Sequence, residues 1–118
     1  MYFKENDSTG VRLVESIHDG DGAIRVAGCA PSGSPYGGFF SGKSRLPVRM
    51  QVWELDPGVS EGNHVHEGEQ ELEEIYYFLS GRGNMRIDGE DVPVAKGDAV
   101  MVPPGSDRGL RNTGEEAL

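Results

Sequence analysis

The chain has a single cysteine, Cys29, so no disulfide can form within it, and nothing nearby supplies the partners of a catalytic thiol. Cys29 reads as a small packing residue. Long apolar runs are missing as well: no stretch approaches membrane-spanning length, and Met1, Tyr2, Phe3, Lys4 and Glu5 lack the apolar segment of a secretion signal. A soluble, cytoplasmic protein is expected. Positive charge is scarce, with 11 Lys and Arg against 20 Asp and Glu for a net charge of −9, so a phosphate-rich partner finds no basic footprint. Nucleic acid and anionic membrane are therefore not expected as partners; a small-molecule ligand is. Also lacking is any helical period of apolar residues.

What is present is turn chemistry: 18 glycines and 7 prolines between short runs of strand-forming residues, which makes this an all-β sequence. Residues 46–55 alternate apolar Val48, Met50 and Val52 with Arg49, Gln51 and Trp53, and Asp56, Pro57 and Gly58 then stop the strand. Asp88 and Gly89 predict a two-residue hairpin loop, residues 96–98 a turn, and Pro103, Pro104 and Gly105 the end of a strand over 99–102. Earlier, residues 11–14 and 24–27 each read as a strand. Residues 31–42 have the composition of a loop, either a linker over a barrel rim or a lid carrying Tyr36, Phe39 and Phe40. At 118 residues the chain suits one domain, with amino-terminal strands and a Gly-rich loop in 1–45 and a barrel core in 46–114.

His64 and His66 stand one residue apart. In an extended strand they share a face, within reach of one cation, and a carboxylate brought alongside by the next strand would complete a set suited to iron, manganese, nickel or zinc. A polar pair on a solvated face is the alternative. The surrounding spacing adds to this. Gly58, five residues, His64, one residue, His66, then Glu74, six residues and Gly81 form one pattern. Gly97, five residues, Pro103, one residue and Gly105, with Asn112 seven positions later, form another.

Together these resemble the two motifs of the cupin superfamily, in its small, single-domain, conserved-barrel type. The resemblance implies an antiparallel jelly roll or cupin β-barrel, a divalent transition metal on His64, His66 and Glu74, and a homodimer formed through the sheets. It departs from the family in two places. Seven residues separate His66 from Glu74 where the family has three or four, and the neighbouring Glu73 would face the other way. The family's third histidine falls on Arg108, which offers only donors and cannot ligate a cation.

By alternation from Glu74, Tyr76 and Phe78 should line the pocket, with Tyr77 and Leu79 behind the sheet or at a subunit contact. Arg108 and Tyr76 are then the candidate catalytic groups, and Arg108, Gln51, Trp53 and Phe78 the candidate substrate contacts. His18 reads as a solvated turn residue, available as a further ligand. Two function classes follow. One is a metal-dependent enzyme of isomerase, lyase or dioxygenase type acting on a small polar or anionic metabolite. The other is a metal-free cupin in which Arg108 holds a small ligand or sugar.

Overall fold

The computed structural model describes residues 1–15, 19–33, 37–65 and 73–118. His18, Tyr36 and His66 lie outside the described residues, as does most of the acidic run that begins at Glu67. Among the described residues there are nine strands: β1 (Arg12–Glu15), β2 (Ala23–Ala27), β3 (Val52–Glu54), β4 (Ser60–Val65), β5 (Glu74–Tyr77), β6 (Arg82–Ile87), β7 (Glu90–Ala95), β8 (Ala99–Val102) and β9 (Asp107–Asn112). They form three antiparallel sheets ordered β1-β2-β3, β4-β9-β6-β7 and β5-β8. No described helix is long and apolar enough to cross a membrane.

Local chemistry explains most boundaries. The β6–β7 hairpin pairs Ile87 with Glu90 across Asp88 and Gly89, whose φ angles of 50° and 80° give the tight loop that matches strand twist. Pro93 sits in β7, an outer strand of its sheet, where the missing N–H breaks no interior ladder. Gly81, at φ 73°, lets the chain turn into β6 directly beside the Ala117 carbonyl.

The stretch expected to be one strand over 46–55 is a strand only at Val52–Glu54. Val48 and Met50 are exposed, at 67% and 62%. The reason is a competing partner: the Met50 carbonyl accepts from the Phe39 N–H at 2.9 Å, which ties this stretch to the loop before it.

Strand β9 organises the interior. Its alternate residues Arg108, Leu110 and Asn112 are buried while Arg111 is exposed, so one face of β9 meets three environments. The Asn112 amide donates to the carbonyls of Leu55 and Glu116, and its side-chain oxygen accepts from the Gly114 N–H, which holds the chain end beside Leu55. Leu110 joins the apolar core with Ile24, Val26, Leu55, Phe78, Met85, Val94 and Val102.

Candidate functional site

Antiparallel pairing of β4 with β9 sets His64 directly opposite Arg108 and Glu61 opposite Leu110, with a register shift between the two pairs. Without that bulge, residues three apart would face opposite sides of the sheet. With it, both Glu61 and His64 turn inward; their side chains are 3% and 8% exposed. Glu61 was not among the residues singled out by sequence, because counting by twos from His64 places it on the outer face. Gly62 inside the strand was the available signal, since an interior strand glycine often marks a bulge.

Arg108 is fully buried. Its Nε donates to the Ser106 carbonyl and one Nη to the Pro103 carbonyl, both at 3.1 Å, and the other Nη is ion-paired to the Glu74 carboxylate. Three of the five guanidinium N–H groups are thus engaged, and two have no partner among the described residues. Glu74 opens β5 and is 30% exposed on its side chain. Tyr76 follows on the same face, while Ile75, Tyr77 and Leu79 are exposed. Burial, together with the negative charge and hydrogen bond of Glu74, pushes the Tyr76 hydroxyl far up from its usual range, so it acts as a donor.

Histidine 64 has its Nδ1 3.1 Å from the Gly62 carbonyl, which can only accept. That contact places a proton on Nδ1. Glu61 lies 3.9 Å from the same Nδ1, beyond hydrogen-bond reach, and its Oε1 has no hydrogen-bond partner among the described residues. Burial, followed by the charge of Glu74 and opposed by that of Arg108, pushes its carboxyl up to about 8. Near neutral pH, Glu61 is therefore a buried neutral acid.

Sequence reasoning placed Glu74, Tyr76, His64 and Arg108 at one site; in the structure Arg108 is ion-paired to Glu74 and lies opposite His64 across the strand pair, and Tyr76 shares a face of β5 with Glu74. Gln51 and Trp53 are elsewhere in their described contacts: the indole N–H donates to the Gln51 amide oxygen, and the Gln51 amide donates to the Gly37 carbonyl. Trp53 packs on the apolar core, and Phe78 is part of it. Two open grooves, of about 370 and 620 Å³, are walled respectively by residues such as Phe39, Phe40 and Arg49 and by Asn63, Asn84, Asp91 and Arg111. Neither includes Arg108, Glu74 or Tyr76.

The described donors do not by themselves fit a cation. No three His, Cys, Asp or Glu side chains converge closely enough among the described residues to hold one. Glu74 is engaged by a guanidinium, whose fixed charge opposes a second positive charge beside it. What the cavity offers is a cationic donor fork, a phenol and a neutral acid.

Residues 51–118 match the family model described as Cupin domain. The chain is 43% identical over 76 residues to a protein of Thermotoga maritima named oxalate-binding protein, a match covering 64% of this chain and 58% of that protein. An uncharacterised protein of Methanocaldococcus jannaschii is 46% identical over 46 residues, covering 39% of this chain and 37% of that protein. The chain thus spans under two thirds of both curated relatives. Among solved structures, a Thermotoga maritima protein described as a predicted oxalate decarboxylase superposes with a TM-score of 0.78 at 28% identity, covering 98% of this chain and 92% of that one. A conserved barrel domain protein from Salinispora arenicola gives a TM-score of 0.68 at 27% identity, covering 99% of this chain and 82% of that one.

Proposed function

The chain belongs to the cupin domain family, and from that premise we propose that its barrel cavity binds a small organic acid, with Arg108 as the anchor for a carboxylate. The observation that carries this reading is the buried guanidinium facing His64 with two N–H groups unpartnered among the described residues. A guanidinium matches a carboxylate through two parallel hydrogen bonds, and N–H groups left unbonded in a buried site are costly even when the charge is paired, as it is here with Glu74. Glu74 already models the contact from within the protein.

Binding follows from these groups. An incoming carboxylate takes the unpartnered Arg108 donors and competes with Glu74 for the Nη it holds. Tyr76, a donor throughout the neutral range, supplies a hydrogen bond to whichever carboxylate lies nearest. Glu61, as a neutral acid, spares the cavity a further negative charge that would repel the ligand. The name of the Thermotoga relative, an oxalate-binding protein, is consistent with a carboxylate ligand. The test is isothermal titration of chelator-treated protein with oxalate and with lactate. Binding of either, weakened about tenfold or more in Arg108→Met as expected for loss of a charged hydrogen bond, supports the reading; no binding of either acid refutes it.

A second reading is favoured by one observation: the His64 ring lies beside the carboxyl of Glu61, whose Oε1 has no hydrogen-bond partner among the described residues. In that reading His64, His66 and Glu74 hold iron, manganese, nickel or zinc, which would polarise a bound carboxylate for isomerase, lyase or dioxygenase chemistry. Elemental analysis of purified protein before and after chelation decides it; about one equivalent of transition metal is the expected result for this reading. Exposed Ile75, Tyr77, Leu79 and Met101 give an apolar face that suits the homodimer expected from sequence, which sedimentation equilibrium would test.

A further inference from the structure

Glu61 presents a problem that the carboxylate anchor leaves unsolved. Its side chain is 3% exposed, yet Oε1 has no hydrogen-bond partner among the described residues. Buried carboxyl oxygens are ordinarily satisfied, because leaving water without a replacement donor is unfavourable. The near donor does not serve: the Nδ1 proton of His64 goes to the Gly62 carbonyl, and that nitrogen stays 3.9 Å away. The described Arg108 bonds go to Ser106, Pro103 and Glu74. Among the described residues, then, the orphan oxygen has no donor, and a bound ligand would supply one.

Its position indicates which donor. Glu61 is opposite Leu110, and Leu110 is two residues from Arg108 on the same face of β9. Glu61 and Arg108 are diagonal neighbours across the strand pair, at a separation of roughly 7–8 Å before their long side chains converge. One small molecule can touch both. We infer that the ligand carries a hydrogen-bond donor, a hydroxyl or an ammonium group, next to its carboxylate: Arg108 takes the carboxylate, and Glu61 Oε1 accepts from the donor. The inference rests on the carboxylate reading above and narrows it to hydroxy or amino acids over acids without a donor. It does not depend on the ionisation of Glu61, since a carboxyl group retains an accepting oxygen in either state.

Matched acids test it. Lactate differs from propionate by the hydroxyl alone, so the ratio of their dissociation constants reads the Glu61 contact at constant charge. Wild-type protein should bind lactate about tenfold more tightly than propionate, the effect of one hydrogen bond to a buried acceptor. In Glu61→Leu the ratio should fall to near one. Glu61→Gln keeps an amide oxygen and should retain part of the preference. Equal binding of both acids by the wild type overturns the inference even if Glu61→Leu does not fold, and so does a preference that persists in Glu61→Leu. In both cases carboxylate binding itself still stands. Failure of lactate, propionate and oxalate alike to bind refutes the anchor reading and the inference with it. Stoichiometric binding of Zn²⁺ alone that is lost in Glu61→Gln makes Oε1 a cation ligand and also overturns the inference.

Discussion

His64 and Arg108 occupy directly opposed positions on β4 and β9, which puts an imidazole and a guanidinium side by side on the inner face of the barrel. Two cationic or potentially cationic groups there would repel without acid between or beyond them. Glu74, reaching from β5 in the other sheet, supplies the compensating charge to Arg108. The cavity is thus held across two sheets by an ion pair, and its strength should show in the two single removals.

Those removals are unequal. Arg108 is fully buried, whereas Glu74 keeps 30% of its side chain exposed. Glu74→Ala strands a guanidinium away from water and should cost about 3 kcal/mol, the low end for breaking a buried pair. Arg108→Met leaves a carboxylate that can hydrate or protonate, and the Ser106 and Pro103 carbonyls belong to residues that are not buried. Its cost should be nearer 1–2 kcal/mol once solvent screening is allowed for. Urea midpoints for both variants check the order; Arg108→Met as the more damaging change would contradict it.

Arg108→His separates the anion anchor from the metal reading. An imidazole in place of the guanidinium removes the opposing charge and adds a lone pair, so transition-metal affinity should rise. Oxalate and lactate affinity should fall by about tenfold in chelated buffer, because the bidentate fork is gone. Both quantities can be read by calorimetry on the same preparation. Unchanged acid affinity rules out the anchor role of Arg108.

Much of this architecture was legible in residues that dictate backbone shape. Asp88 and Gly89 announced the β6–β7 hairpin because a two-residue loop demands positive φ, and both residues have it. Alternation alone placed Glu74, Tyr76 and Phe78 on one face and Ile75, Tyr77 and Leu79 on the other. Residues 46–51 misled because their alternation is genuine but their backbone partner is a loop, through Phe39 and Met50. Glu61 was hidden by the bulge, a register event that depends on β9.

Stability should depend on pH through Glu61. Its carboxyl is held at about 8 in the folded protein against an ordinary value of 4.5, so between those values the folded state binds the proton and the unfolded state does not. Stability then falls as pH rises. The contribution is fully present below about 4.5 and is lost as pH rises through about 8. Thermal midpoints of the wild type should therefore decline from pH 5 toward pH 9 relative to Glu61→Gln, which lacks the titration. Parallel curves for the two proteins would show that Glu61 is not held neutral.

Gly81 and Gly97 should respond very differently to the same substitution. Both have positive φ, 73° and 91°, so alanine at either position incurs about 1 kcal/mol of backbone strain. At Gly97 nothing among the described residues lies within 4 Å of the added Cβ, and the strain is the whole effect. At Gly81 the Cβ would collide with the Ala117 carbonyl oxygen and meet the Leu118 Cα at 3.2 Å. Neither is the movable end of a side chain. Relief requires displacing the segment that Leu55 holds through its reciprocal backbone bonds with Leu118 at 2.8 and 2.9 Å. That segment also carries the Glu116 carbonyl to which the buried Asn112 amide donates. Gly81→Ala should accordingly cost at least about 2 kcal/mol more than Gly97→Ala, in the range of an overpacked core, and should raise hydrogen exchange at the Leu55 and Leu118 amides. Equal urea midpoints for the two variants would mean that the carboxy-terminal segment yields freely and that its bonds to Leu55 add little to the fold.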